Sequence, residues 1–318
     1  SFLTYHEINF FKPQLDKANI QVHTIVEPNY LKRILKIRRF IRNSKANAVL
    51  AFLEGSSFMA AVAGLPWRKW KLVVGERSAN PNILKSKKLR MYRWFHLLAD
   101  YVVANSHSNL DMVKKINPLL PKKKMKVIYN IVNVPQIETQ QKKYPNKPHI
   151  VVAASYRDVK NLDGLIEAVK LLPQEYKEKL RIDWYGNRET PEYADKMNKK
   201  INHYNLSDVI VMNSATSDIF DKYLEADFVG LFSHYEGFPN TICEAMALGK
   251  PVVVTKASDI PFFIDEGENG FLCDSKDVSS IKDALIKAIE SSGNDRDKMG
   301  ALNKRKVKVE FDRDVIID

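Results

Sequence analysis

The sequence predicts an α/β protein of two Rossmann-like domains, each a parallel sheet flanked by helices, with the two sheets facing a central cleft. Three observations lead there. Strand-length apolar runs alternate with helix-length amphipathic ones over residues 1–133. The alternation stops in the polar stretch 136–148, which lacks periodicity and holds Pro145 and Pro148. It then restarts at His149. Strand–helix–strand alternation is the pattern of parallel pairing, which needs a long crossover between strands. The expected organisation is a first domain at 1–135, a linker at 136–148 and a second domain at 149–318. A chain of 318 residues suffices for two such cores.

Taken in order, the first half reads as strands at 1–5, 21–26, 47–53, 71–76, 101–106 and 126–130, with helices including 10–20, 31–45 and 87–99 between them. Residue 1 is Ser, and 1–5 already reads as a strand. An α/β domain usually opens with a strand and a phosphate-side loop, so the first strand and loop of this domain are expected to precede the sequence. The second half reads as strands at 149–155, 180–186, 209–213, 227–233 and 251–256, alternating with helices at 161–173, 191–204, 217–226 and 239–249. Ligands of such folds bind in the crevice outside the carboxyl ends of the strands.

Composition narrows the function. No apolar run reaches the ~20 residues that span a bilayer. The two cysteines, Cys243 and Cys273, have no metal-type spacing, which suits a reducing compartment without a disulfide framework. There is no Gly-x-Gly-x-x-Gly, no Gly-Lys-Ser/Thr phosphate loop, no His-Glu-x-x-His and no Gly-x-Ser-x-Gly, so dehydrogenase, P-loop, zinc-hydrolase and serine-hydrolase readings lose their support. The net charge of +12 favours an acidic partner: anionic lipid, nucleic acid or a phosphorylated ligand.

The stretch 234–254 concentrates the chemistry. Strand 227–233 delivers His234, Tyr235 and Glu236 to a strand end. Gly237 then turns the backbone sharply, and Pro239 suits a first helical position. Phe238, Asn240 and Thr241 complete a turn whose free N–H groups and helix dipole match a diphosphate. Glu244, one turn in, can accept two hydrogen bonds from a vicinal diol such as ribose, and Glu236 can grip sugar hydroxyls. The residues therefore point to a nucleotide-sugar. The alternative is a carboxylate that merely complements the helix dipole, with residues 245–248 as core packing.

Glu236-Gly237-Phe238-Pro239-Asn240, Glu244-Ala245-Met246-Ala247 and Gly249-Lys250-Pro251-Val252-Val253 together resemble the Glu-x7-Glu signature of the family 4 retaining glycosyltransferases of GT-B fold. The resemblance extends to 128–133, 153–172 and 267–274, and so covers the chain from about Leu50 to Asp274. It implies that Glu236 holds the donor sugar, Glu244 the ribose, and the backbone of Gly237, Phe238, Pro239, Asn240 and Thr241 the diphosphate. It also implies an Arg and a Lys after the first strand of the second domain, here Arg157 and Lys160. Such fixed cations stabilise leaving-group charge without a metal.

The sequence departs from the family pattern in three places. Arg157 and Lys160 are three apart rather than five, and Ser155-Tyr156 replaces a Gly. Where many relatives carry a His facing the donor sugar, Glu76 and Arg77 stand at the end of strand 71–76. There, either Arg77 contacts the diphosphate or an anionic acceptor and Glu76 orients the acceptor hydroxyl, or a buried salt bridge occupies the strand end. Around 257–267, Phe262 and Phe263 suggest a hydrophobic wall in place of Gly-Gly and a Glu. Of the histidines, His234 alone sits beside the signature.

The helix 31–45 has an apolar stripe of Leu31, Ile34, Leu35 and Ile41, with Lys32, Arg33, Lys36, Arg39, Arg42 and Lys45 around it. With the cluster 85–93, it is expected to face an anionic membrane surface, the stripe in part packing on its own sheet. No nucleic-acid motif accompanies the charge, so nucleic acid is not an expected partner. The resulting expectation is a metal-independent retaining transferase, without cofactor, peripheral at the inner face of the cytoplasmic membrane. It would move a sugar from a UDP-sugar to a saccharide or lipid-linked saccharide in cell-surface polysaccharide or glycoconjugate synthesis. The alternatives are a GT-B sugar-nucleotide epimerase or hydrolase, or a non-catalytic nucleotide-sugar-binding protein.

Overall fold

Every strand pair in the computed structural model runs parallel among the residues it describes, 1–7, 11–78, 80–133 and 147–317. The chain divides into two units. The first comprises Ser1–Arg77, Pro81–Ala104 and Asn109–Val127. Its strands are β1 (Phe2–Thr4), β2 (Val22–Thr24), β3 (Ala48–Phe52), β4 (Lys71–Glu76), β5 (Tyr101–Ala104) and β6 (Met125–Val127). The helices are α1 (Lys12–Lys17), α2 (Tyr30–Asn43), α3 (Glu54–Ala63), α4 (Lys87–Trp94) and, from Asn109 onward, α5 (His107–Ile116). β1 pairs with β2, and β3 to β6 form a four-stranded sheet in chain order.

Leu72, Val74, Val102 and Ala104 of that sheet are buried with Ala60 and Ala61 of α3 and Val113 of α5. The sequence pattern did not single out α3, because burial of Ser57 through Ala61 surrounds it with core and erases the 3.6-residue stripe. On α2, the Asn29 side chain caps the first turn by accepting the Lys32 N–H at 3.0 Å. Ile37 and Ile41 then pack on Phe58 and Met59. Arg38 donates to the carbonyls of Val62 and Ala63, and Arg42 to those of Ala63, Leu65 and Trp67. Both cations thus serve the carbonyl end of α3, where the helix dipole is negative.

The second unit takes in Ser78, Asn80, Asn105–Ser108 and the described residues from Ile128 onward. The first unit ends at Val127, ahead of the boundary expected at 135. Tyr129 packs its ring on Phe238, Phe263 and Phe311 at centroid distances of 5.6, 5.3 and 5.5 Å, and Val132 N–H donates to the Phe311 carbonyl. The linker expected at 136–148 lies outside the described residues except for 147 and 148.

Its first βα run is β7 (His149–Ala153), α6 (Leu162–Lys170), α7 (Gln174–Lys179), β8 (Arg181–Gly186), α8 (Pro191–His203), β9 (Ile210–Ser214) and α9 (Ile219–Glu225). The second is β10 (Phe228–Leu231), α10 (Asn240–Ala247), β11 (Val252–Thr255), α11 (Ile260–Phe263) and β12 (Gly270–Cys273), closed by α12 (Val278–Glu290), α13 (Gly293–Glu310) and α14 (Arg313–Ile317). Strand order is β12-β11-β10-β7-β8-β9. The chain builds outward from β7 to one edge, then crosses back and builds outward from β10 to the other. Side chains alternate faces: Ile150 and Val152 join one core with α6 and α12, whereas Val151, Val229 and Val254 join the other with α10.

Gly249, at φ +76°, ends α10 in a conformation that favours glycine. Gly300 of α13 lies against it so closely that a Cβ there would sit 2.0 Å from the Gly249 carbonyl oxygen. Gly300→Ala should therefore destabilise the fold by about 1–3 kcal/mol as the backbones separate. Urea unfolding measures this, and an unchanged midpoint would show that α13 does not bear on α10.

Candidate functional site

The strand order reverses between β7 and β10, and their carboxyl ends carry the loops 154–161 and 232–239. Such a switch point is where open α/β sheets accept ligands. Tyr156 anchors the first loop from inside. It is buried, and its hydroxyl lies 2.9 Å from the Trp184 carbonyl and 2.7 Å from that of Asn213, donating to one at a time. The Ser155-Tyr156 departure therefore fixes the loop. Asn161 adopts φ +61°, caps α6 by accepting the Gly164 N–H, and donates to the Ser275 carbonyl. His234 joins the same junction through its N–H to the Val159 carbonyl and Nδ1 to Ser275 Oγ, 3.2 Å apart. His234 is thus a stitch between loops.

These contacts bring Lys160 and Glu236 together. Lys160 Nζ lies 2.6 Å from Glu236 Oε1, with both side chains largely covered. Arg157 goes elsewhere: its Nε sits 3.1 Å from Ser155 Oγ and 3.2 Å from Glu189, half-exposed. Pro239 is the cap of α10 rather than its first residue, so the helix begins one position later than expected, at Asn240. The shift follows from the turn, in which the Asn240 N–H folds back to the Phe238 carbonyl. Ser258 Oγ holds the Gly237 carbonyl at 2.9 Å, and Asn130 donates to the Asn240 side chain. The N–H groups of Gly237, Phe238 and Thr241 make no hydrogen bond to the described residues. They are the kind of donors that an anion at a helix start requires.

Glu244 projects from the second turn of α10. It is half-buried, and its carboxylate has no hydrogen-bond partner among the described residues. Burial pushes its pKa above the ordinary carboxylate value. Partial burial of a carboxylate without a protein partner disfavours its charged form.

The first unit gives a different result for Glu76. It is buried at 3% exposure, with Oε2 2.8 Å from Arg93 and Oε1 2.7 Å from His96. Burial raises its pKa, but the His96 hydrogen bond and the Arg93 guanidinium outweigh that and hold it below the usual carboxylate range. Both oxygens are committed, so the expectation that Glu76 orients an acceptor hydroxyl is corrected to a buried ion pair. Its partner is the distant Arg93; the three-residue spacing of Arg93 and His96 within an apolar run was the available signal. Arg93 also leaves the basic surface expected at 85–93, since it is fully buried. Arg77 is exposed and lies over the Phe52 ring at 5.2 Å. Of the expected aromatic wall, Phe263 is core and Phe262 stands exposed.

Among the described residues, no group of three or more His, Cys, Asp or Glu could hold a metal ion, and no helix is long and apolar enough to cross a membrane. Cys243 and Cys273 are free and buried.

Comparison with known proteins adds a family. The model of the glycosyl transferases group 1 matches residues 133–306, and that of glycosyltransferase family 4 matches 17–136. N-acetyl-alpha-D-glucosaminyl L-malate synthase of Bacillus anthracis is 22% identical over 69% of this chain, which spans 58% of that protein. The putative colanic acid biosynthesis glycosyltransferase WcaL of Escherichia coli is 28% identical over 62% of this chain and 50% of its own length. Among solved structures, Anabaena HepE in complex with UDP superposes with a TM-score of 0.82 at 19% identity, over 99% of this chain and 88% of that one.

Glu244→Gln should stabilise the protein at neutral pH. The raised pKa means that the folded state favours the protonated form, so wild-type stability falls as pH rises from the unfolded value through the folded one. The variant's advantage should then vanish below about pH 4.5, the ordinary glutamate value. Thermal unfolding of both proteins across that range tests this. A variant less stable than wild type at pH 7 would mean that Glu244 has a partner in the folded state.

Proposed function

The chain belongs to the group 1 glycosyl transferases of family 4, with the GT-B fold class of two Rossmann-like units, and from that membership we propose that it is a retaining glycosyltransferase using a UDP-sugar. The observation that carries the reading is the Lys160–Glu236 contact at the sheet's switch point, next to unpartnered amides and an unpartnered Glu244. In this reading the amides of Gly237, Phe238 and Thr241 receive the diphosphate, and Glu244 receives the ribose diol. Lys160, joined by Arg157 when it leaves Glu189, takes up the charge that grows on the leaving phosphate oxygen. Glu236 is then released from Lys160 to hold hydroxyls of the donor sugar. The UDP-bound and UDP-glucose-bound structures of the HepE neighbour support the choice of nucleotide. Positive charge comes from side chains and a helix start, so the reaction is proposed to need no metal.

The acceptor is proposed to be a saccharide or lipid-linked saccharide at the inner face of the cytoplasmic membrane, as part of cell-surface polysaccharide or glycoconjugate synthesis. The first unit's surface supports this. The Tyr30 and Tyr92 hydroxyls meet at 2.7 Å and Lys88 lies over both rings, so the basic segments of α2 and α4 form one face. On α2, Leu31 and Leu35 stand 72% and 64% exposed and Lys32 and Arg39 are exposed as well, while Met91 and Trp94 are exposed on α4. Arg33, Lys36 and Arg42 are tied to neighbouring protein groups, so fewer cations face outward than the sequence alone suggests.

A panel of UDP-, GDP- and ADP-sugars tests the donor site. One UDP-sugar should raise the melting temperature, turnover should persist in EDTA, and Lys160→Ala should lower it roughly 100- to 1000-fold. Lack of stabilisation by any UDP-sugar would remove the reading, and loss of turnover in EDTA restored by manganese would remove its metal independence.

Co-sedimentation with anionic vesicles tests the membrane face. Binding should weaken with salt, and changing Lys32, Arg39 and Lys88 together to Gln should weaken it about a hundredfold, at about 1 kcal/mol per cation. Wild-type protein that ignores such vesicles at low salt would refute it.

A further inference from the structure

A row of aromatic rings leaves the proposed diphosphate turn and ends in solvent. Phe238, in the turn itself, lies 5.6 Å from Tyr129; Tyr129 lies 6.2 Å from His107, and His107 5.9 Å from Phe262. The inner members are covered, but His107 is exposed and Phe262 is 64% exposed. The short helix α11 sets this arrangement: Ile260 and Phe263, three apart, bury themselves and leave Phe262 pointing out.

A lone exposed phenylalanine would carry little meaning. This one meets a second ring that is held from beneath. Asp259, fully buried, accepts the N–H groups of His107 and Ser108 at 2.6 and 3.0 Å, the Ser108 hydroxyl at 3.0 Å and the Tyr129 hydroxyl at 3.2 Å. Its carboxylate is spent on fixing the backbone under His107 and the ring behind it. Its neighbour Ser258, at φ +54°, ties the same loop to the Gly237 carbonyl. The fold thus commits a buried carboxylate and a strained residue to hold two exposed rings at an angle of 73° beside the turn.

We propose that His107 and Phe262 form a shelf for the apolar face of a pyranose ring, adjoining the diphosphate turn. The C–H face of a pyranose is apolar and weakly positive, so it complements the face of an aromatic ring while its hydroxyls stay in water. The location beside the turn rests on the donor-site reading above; the shelf itself rests on the rings.

Ligand-observed saturation-transfer NMR tests this with UDP, UDP-glucose and a set of methyl glycopyranosides as probes. Wild-type protein should transfer saturation to pyranose C–H protons. Phe262→Ala and His107→Ala, both at exposed positions, should weaken sugar binding about three- to tenfold while leaving UDP affinity unchanged. An effect confined to UDP-glucose assigns the shelf to the donor sugar, and one confined to the free glycosides assigns it to the acceptor. Sugar signals that persist unchanged in both variants, or no sugar signal from the wild type, overturn the shelf. Uridine signals absent from the wild type would instead overturn the donor-site reading, while the glycoside arm still decides the shelf.

Discussion

In the second unit, the reversal of strand order between β7 and β10 is the constraint from which the site follows. Both strands are buried on both faces, so their carboxyl ends can diverge only into loops. One loop must return to the first run of helices and the other to the second. Their divergence leaves Lys160 and Glu236 side by side although 76 positions separate them in sequence. The cores on the two faces of the sheet hold this divergence in place. Tyr156, His234 and Asn161 then trim what freedom the loops retain.

Two glutamates, one buried and one half-buried, show how differently the fold treats a carboxylate. Glu76 has both oxygens answered, by a guanidinium and an imidazole, which offset the cost of enclosing it. Glu244 is half-enclosed with no answer at all. This second arrangement leaves the carboxylate to whatever solvent reaches it, and its pKa rises accordingly.

Much of this was legible in the sequence, and the reasons are local. The alternation of β7 through β11 with helices showed because buried parallel strands are continuous Val-Ile-Leu runs and their helices carry one apolar stripe. The turn at Gly237 and a helix start within one residue of Pro239 could be read because turn chemistry and helix starts depend on neighbours only a few residues away. What could not be read depended on distant partners. Nothing near Glu76 announces Arg93, and nothing near Asp259 announces Ser108. The helix α3 was hidden by being apolar all round. Nothing in the sequence of α2 sets Arg42 apart from the other cations, yet it is turned toward the carbonyls at the end of another helix.

The rivet at Tyr156 has a further consequence, in the entropy of recognition. A loop secured by a buried hydroxyl at one end and by Asn161 at the other surrendered its backbone freedom when the protein folded. A ligand that settles on it has no loop to order. What remains is the immobilisation of side chains, at about 0.5–1.5 kcal/mol for each rotamer-rich one. Lys160 and Arg157 are each paired already, with Glu236 and Glu189, so a ligand that recruits them exchanges contacts rather than ordering free side chains. The ordering of this loop was completed in advance by an aromatic side chain facing the other way.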